Sequence, residues 1–393
     1  MENNKALPIL FAVMFFVMVG FGIIIPVLPF YAEELGASPT QLGLLMAVYS
    51  LMQFIFAPMW GRISDRVGRK PVMMIGILGL SFSFFFMAFS SSLWMLFAAR
   101  ILGGFLSSAN MPTVQAFAAD ITTEENRGKG MGIIGAAVGL GFVFGPAIGG
   151  VFSKASLATP FVIAGISSLV TFLLVTFVLK ESLPKEERGV QPKEKGPLLK
   201  TSGSTISMLY FLQLFVSISL AGLEATFAYF AAEKAGLGTI KLGYIFMIMG
   251  LAGAFVQGGL VGRMTKRFGE GSVIQIGIAV SAVGFGLILF VDNFLTAAIF
   301  LSIFGIGNGV IRPSVSALIT KTATAGIGKA TGALSSFDSL GRIIGPPLGG
   351  WLFSVAAGLP YISGIILSIV AFILYATYTA QLKKQKLSSV TSS

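Results

Sequence analysis

The stretch Gly132-x8-Gly141-x3-Gly145-Pro146-x2-Gly149-Gly150 occurs twice, its second copy running from Gly332 to Gly350 with the same internal spacing. Further anchors match at nearly the same offset. Ala32, Glu33 and Gly36 align with Ala232, Glu233 and Gly236, and Leu42-Gly43 with Leu242-Gly243. Gly61-Arg62 aligns with Gly262-Arg263, and Pro112 with Pro313. So many matched places mark an internal duplication, which constrains the chain to two similar halves. Both copies lie in long apolar stretches, so the repeat is membrane-embedded. Duplicated membrane halves are the layout of proteins that rock one half against the other around a site near the bilayer midplane.

Composition supports a bilayer protein. Of 393 residues, 55% are hydrophobic and only 11% are charged, where a soluble domain carries about a quarter. There is no cysteine and no histidine, which removes disulfides, thiol chemistry and histidine-based metal or acid–base sites. No metal and no cofactor is expected, and proton handling falls to carboxylates. Met1 to Lys5 lead straight into an apolar run longer than a signal peptide's apolar region, roughly 7 to 15 residues, and read as a retained first span.

Charge clusters, glycines and prolines mark off twelve apolar segments, each near the roughly 20 residues a spanning helix needs. They are 6–30, 41–61, 72–90, 93–117, 130–152, 159–179, 205–231, 241–262, 273–291, 295–318, 328–354 and 359–380. The one long polar stretch, with Pro184, Pro192 and Pro197 and many charges, falls between the sixth and seventh. The expected organisation is a six-helix bundle at 1–180, a cytoplasmic linker at 181–204, a second bundle at 205–382 and a cytoplasmic tail at 383–393. The fold class is all-α, with twelve transmembrane helices in two pseudo-symmetric bundles.

Lys and Arg retained in the cytoplasm set the orientation. On one side of the expected spans lie only Lys154, Lys234 and Lys241, and Arg100, Arg312 and Arg342 fall inside spans. The rest of the 27 basic residues lie on the side of both termini. Both termini are therefore expected inside. The net charge of +11 reads as this topology signal, set against anionic lipid, and not as a nucleic-acid footprint.

Gly61-Arg62-Ile63-Ser64-Asp65-Arg66-Val67-Gly68-Arg69-Lys70 resembles the signature loop between segments two and three of the major facilitator superfamily. Arg100-Ile101-Leu102-Gly103-Gly104 is similar to its second motif, and the repeated glycine-proline stretch is similar to the antiporter motif of segment five. Ile25-Pro26-Val27-Leu28-Pro29 and Ile311-Arg312-Pro313 resemble the twelve-segment drug/proton antiporters of Gram-positive bacteria. The resemblance implies a monomer in the bacterial plasma membrane, with two bundles around a central cavity. It implies export of lipophilic, often cationic compounds in exchange for protons by alternating access. One departure stands out: those exporters carry an acid three positions before the Arg-Pro pair of segment ten, where this chain has Gly309 beside Asn308.

The motifs also have direct physical readings. Gly141, Gly145 and Gly149, like Gly341, Gly345 and Gly349, recur at four-residue spacing and bare the backbone for close approach of another helix. Pro146 and the pair Pro346-Pro347 remove backbone donors and are expected to kink segments five and eleven. The resemblance sets both segments at the interface of the halves, as a gate element; generic packing is the plainer reading. In the signature loop, Asp65 is expected to face a segment-eleven helix end. Arg69 is expected to pair with Asp120, latching one conformation, with Arg66 anchoring the cytoplasmic face. A purely topogenic role for these basic residues stands beside that reading.

Of 16 acids, only Glu224 and Asp338 fall well inside spans. A charge there costs about 2.5 to 3.5 kcal/mol or more, so both are functional candidates. Asp338 has Arg342 one turn further on, where helix side chains meet, so a structural ion pair and a part in coupling are both open. Glu224 has no basic residue at helical spacing in its own segment. Neutral, it tolerates an apolar cavity; ionised, it attracts a cation. It is therefore the first candidate for proton coupling and for substrate, and it matches the segment-seven acid of the resembling exporters. Arg312 is a candidate partner of Glu224 or Asp338. Arg100 is a candidate for a proton path from Asp120. On segments that the resemblance sets near the cavity lie Phe16, Gln53, Asn110, Met111, Phe227, Tyr229, Asn308 and Phe337, as substrate-binding candidates. An aromatic pocket with few polar groups would hold many flat lipophilic cations weakly.

Two other functions stand beside drug/proton antiport as alternatives. A proton-coupled exporter of a sugar or metabolite would want more Asn, Gln and Trp in its spans. A membrane enzyme would want a His, Cys or paired-carboxylate constellation. No Gly-x4-Gly-Lys-Ser/Thr loop is present for nucleotide-driven transport.

Overall fold

Pro112 lacks the N–H that would bond the Ser108 carbonyl, and segment four is accordingly two helices, α4 (Leu93–Ser107) and α5 (Asn110–Asp120). The structure is a computed structural model that describes residues 6–189, 204–322 and 327–391; 190–203 of the expected linker lie outside them. The first half also contains α1 (Ala6–Glu34), α2 (Pro39–Val67), α3 (Arg69–Ala88), α6 (Arg127–Phe152) and α7 (Thr159–Val178). The second contains α8 (Ser204–Ala235), α9 (Thr239–Phe255), α10 (Val261–Ile288), α11 (Phe294–Thr322), α12 (Ile327–Val355) and α13 (Leu359–Thr391).

Nine helical runs among the described residues are long and apolar enough to cross a membrane. One of them, Thr239–Ile288, holds both the eighth and the ninth expected segments, turned at Gly269, where φ is 77°. That left-handed value suits glycine because no Cβ opposes it. A π-helical stretch, Val256–Leu260, also interrupts segment eight, a feature the apolar pattern does not announce. α2 starts cleanly: Ser38 and Gln41 form a capping box with Pro39 at the first helical position, which satisfies two orphan N–H groups.

The chain divides into two compact units. Unit 1 is Met1–Lys193 with Leu237–Met247, and unit 2 is Glu194–Gly236 with Ile248–Ser393. The start of α9 joins unit 1 through Gly243, whose bare backbone lies against Pro146 and Gly150 of α6.

In unit 1, α6 lies along α1, and the motif glycines make that approach possible. A Cβ on Gly145 would come within 2.6 Å of the Val19 carbonyl oxygen and 2.8 Å of the Gly22 Cα. One on Gly149 would come within 2.9 Å of the Ile23 carbonyl oxygen. Unit 2 repeats the arrangement, with α12 along α8. A Cβ on Gly345 would meet the Ile218 carbonyl oxygen at 2.5 Å, and one on Gly349 the Gly222 Cα at 2.9 Å. Each motif thus packs on the first helix of its own half, at positions that are themselves repeat partners, Gly22 and Gly222. Both α6 and α12 stay helical through Pro146 and Pro346-Pro347.

Not every motif glycine is needed for contact. Nothing lies within 4 Å of a Cβ at Gly132. Gly145→Ala should lower stability by about 1–3 kcal/mol, because the atoms it meets are backbone and cannot rotate away. Gly132→Ala should be neutral or stabilise by up to about 1 kcal/mol through helix propensity. Thermal unfolding of the purified variants in one detergent checks this; equal shifts would contradict it.

Candidate functional site

The face that α12 presents to α8 carries both the close-packing glycines and the charges. Along α12, Gly341 and Arg342 lie three and four residues beyond Asp338, and Gly345 lies four beyond Gly341. Along α8, Gln213, Ser217, Ala221 and Glu224 follow at four- and three-residue steps, so each set lines one stripe. Gly341 lets the backbones close on Ser217, which brings Asp338 within reach of α8. Asp338 Oδ1 accepts hydrogen bonds from Ser217 Oγ and from Gln213 Nε2, the latter at 3.1 Å.

Two guanidinium groups meet the two carboxylates. Arg312 Nη1 of α11 lies 3.5 Å from Asp338 Oδ2, and Arg342 Nε lies 3.9 Å from the same oxygen. Arg342 Nη1 lies 3.5 Å from Glu224 Oε2. Glu224 therefore has a basic partner after all, on the neighbouring helix. The lack of a base in its own segment left this unseen. Arg342 serves both acids, and Arg312 pairs with Asp338, one of the two partners expected for it. Glu224 is 6% exposed and Asp338 8%, whereas the Arg312 side chain is 54% exposed. The cluster is formally neutral, which is what an apolar surround requires of buried charges.

Unit 1 is built differently. It encloses a cavity of about 30 Å³ lined among others by Met14, Phe21, Tyr49, Gln53, Arg100 and Asn110. Arg100 is 2% exposed. Its Nε donates to the Leu45 carbonyl at 3.2 Å, and its Cζ sits 4.2 Å over the Tyr49 ring. That cation–π contact is worth up to about 2 kcal/mol when desolvated. Tyr49 and Ser107 share a hydrogen bond of 2.7 Å, and Gln53 Nε2 donates to the Tyr49 hydroxyl at 3.3 Å. Asn110 is 1% exposed, and neither polar atom of its amide has a partner among the described residues. Among the described residues Arg100 forms no ion pair. Asp120 is twenty residues away along the same segment, about 30 Å at 1.5 Å per residue, and it is engaged elsewhere.

Asp120 belongs to the signature loop. Arg69, 8% exposed, donates from Nε to Asp120 Oδ2 at 3.1 Å and also pairs with Asp65. Its Nη1 donates to Ser64 Oγ at 2.8 Å. The expected Arg69–Asp120 pair is present; Arg66 is exposed. A participant that the sequence left as loop is Glu181, just past α7. Its carboxylate accepts from the backbone N–H groups of Arg69, at 2.8 Å, and Lys70, at 3.2 Å. It thus caps α3 where the helix dipole favours a negative charge. Gly68, with φ 119°, makes room, since a Cβ there would run into that carboxylate.

Of the substrate-binding candidates, Gln53, Asn110 and Met111 line the unit 1 cavity. Phe16 is half-buried and edge-on to Phe15. In unit 2, Phe227 is fully buried, with no surface for a ligand in this conformation, and Tyr229 packs on Phe353 at 5.9 Å. Phe337 lies between Tyr210 and Phe211, and Asn308 is half-buried. Tyr49, Gln213 and Ser217 were not singled out from the sequence as site residues, and Arg342 only as a partner of Asp338. A buried polar residue on an apolar stripe, as at Gln213 and Ser217, was the available signal.

With this geometry in place, the likeness to known proteins is informative. The Major Facilitator Superfamily profile matches residues 10–261 and 258–391, and the chain belongs to that superfamily of transporters. It is 32% identical over 360 residues to Multidrug resistance protein 1 of Bacillus subtilis, covering 92% of both chains. It is 29% identical over 387 residues to the quinolone resistance protein NorA of Staphylococcus aureus, covering 98% of this chain and 100% of that one. Among solved structures it resembles a bacterial homologue of the human lysosomal transporter Spinster, with a TM-score of 0.78 at 17% identity over 97% and 98% of the two chains. The nucleoside transporter NupG gives a TM-score of 0.78 at 14% identity over 98% and 100%. The protein is a multi-pass membrane transporter with multidrug-resistance relatives.

The shared guanidinium yields a stability test. At a pH high enough to ionise Glu224, Arg342→Met should cost about 3–5 kcal/mol, because Glu224 is left buried without a counter-charge. Adding Glu224→Gln should recover most of that loss. Thermal unfolding of both variants measures it; a double variant no more stable than the single one would contradict the pairing.

Proposed function

We propose that this transporter is a proton-coupled antiporter that exports lipophilic, often cationic drugs by alternating access across the bacterial plasma membrane, with both termini cytoplasmic. The observation that carries this reading is Glu224: a carboxylate buried in a span, whose one counter-ion among the described residues, Arg342, is shared with Asp338.

A proton on Glu224 removes its charge and leaves Arg342 to Asp338. Loss of that proton restores a negative charge that a lipophilic cation can neutralise. Proton and cation thus compete for one carboxylate, which makes the release of one the condition for binding the other. Asp338 fills the role of the acid that position 309 lacks, since it is held by Arg312, three residues beyond Gly309 on α11. The glycine faces of α6 and α12 give the halves their rigid, repeat-related cores. The Arg69–Asp65–Asp120 cluster acts as a cytoplasmic latch, with Asp65 turned to a segment-eleven helix end in the latched state.

Export of a multidrug substrate suits the composition of the unit 1 cavity, which is mostly apolar and rich in methionine and aromatic side chains. The names of the Bacillus and Staphylococcus relatives support drugs over sugars as cargo.

In proteoliposomes, a lipophilic cation should drive proton movement with the wild type. Glu224→Gln should abolish that signal while the protein stays folded and still binds the cation more weakly. A Glu224→Gln protein that still moved protons on addition of the cation would overturn the assignment.

A further inference from the structure

We infer that the unit 1 cavity is an anion subsite in which Arg100 receives the carboxylate of those transported compounds that carry one. The inference rests on the export reading and extends it from cations to zwitterionic and acidic lipophiles.

The charge inventory of unit 1 leads to it. At membrane depth Arg100 is the lone ionisable charge: Glu33, Glu34, Asp65, Asp120, Glu124, Glu125 and Glu181 all sit at or beyond helix ends. In unit 2 every arginine at comparable depth is matched by an acid. Arg100 instead faces the Tyr49 ring, and the described residues give it a single hydrogen bond, from Nε to Leu45. A guanidinium has five N–H groups in a fixed fork that matches a carboxylate in two-point contact, so most of its donor capacity remains.

The cavity beside it supplies the rest. Asn110, nine-tenths buried and more, lines it too, with its amide turned against Gly76 of α3. Buried polar groups are nearly always satisfied, so a buried guanidinium with unused N–H groups beside a cavity marks a place where an acceptor arrives. At about 30 Å³, the space suits a compact head group or about two waters, and not a whole drug. The surrounding Met14, Phe21, Phe84 and Met111 are apolar and adaptable, which fits the aromatic ring that carries such a carboxylate. None of these features repeats in unit 2, where the position equivalent to Arg100 is Leu301 and that equivalent to Tyr49 is Met249. A structural role alone would account for the Leu45 and Tyr49 contacts but not for the remaining guanidinium N–H groups beside the cavity.

A xanthene dye carboxylic acid and its methyl ester, alike in all but that group, form the probe pair. Transport of each is measured in proteoliposomes with wild type and Arg100→Gln. Arg100→Gln should raise KM for the acid about tenfold or more, the scale of a lost charge-assisted hydrogen bond, and leave the ester within about twofold. Equal effects on both dyes, or none on the acid, overturn the proposal. A failure of proton coupling would appear in both dyes and is thereby distinguished.

If Arg100→Gln does not fold, binding to the wild type decides. Fluorescence polarisation should show benzoate displacing the acid but not the ester, with chloride at the same concentration ineffective. Benzoate without effect, or chloride equally effective, would overturn it.

Discussion

A buried charge in an apolar surround must be neutralised or matched, and the second half of this transporter meets that demand with one shared guanidinium. Arg342 lies within 4 Å of both Glu224 and Asp338. Arg312 adds a second contact to Asp338, which also accepts from Ser217 and Gln213. Among the described residues Asp338 is thus held by four side chains and Glu224 by one. In the proposed antiport this inequality divides the roles: the well-held carboxylate keeps the arginines in place, and the weakly held one exchanges its proton. A site with two equally anchored acids would have no reason to discharge one before the other.

The same face depends on packing. Gly341 and Gly345 bring α12 against α8 closely enough for side chains as short as Asp and Ser to meet. The equivalent face of unit 1, where α6 meets α1, has the glycines but not the charges. Val13, Val17, Ile24, Val138 and Phe142 stand where Gln213, Ser217, Glu224, Asp338 and Arg342 stand in unit 2. The two halves therefore share one scaffold and differ along a single stripe, which is ionic in unit 2 and apolar in unit 1. Unit 1 acquired a different charge, Arg100, on another helix and with an aromatic neighbour in place of an acid. Repeat symmetry serves the scaffold, and departures from it carry the chemistry.

Much of this was legible in the sequence because membrane depth makes charge conspicuous. Glu224 and Asp338 stand out as acids in apolar runs, and the glycine spacing reads directly as a close helix contact. What stayed hidden was pairing between helices. Arg342 is visible as a partner of Asp338 one turn away, but its reach to Glu224 depends on the separation and rotation of α8 and α12, which no local pattern encodes. Glu181 was hidden for a similar reason: an acid just beyond a span looks like any loop residue until the chain folds it onto the start of α3. The division of segment four follows from Pro112, whereas the π-helical stretch at Val256–Leu260 has no comparable local signal. Phe227 shows the opposite limit. An aromatic residue on the right segment was a fair cavity candidate, but helix rotation buries it completely.

The account turns on the protonation of Glu224, and isotope-edited infrared difference spectroscopy of the protein in lipid nanodiscs reads it directly. On addition of a lipophilic cation at neutral pH, the wild type should lose a protonated-carboxyl C=O band and gain a carboxylate band. Both changes should be absent in Glu224→Gln, and their frequencies should not shift when aspartate, and not glutamate, carries the isotope label. A carboxylate at Glu224 that stays in one protonation state with and without the cation would contradict the account.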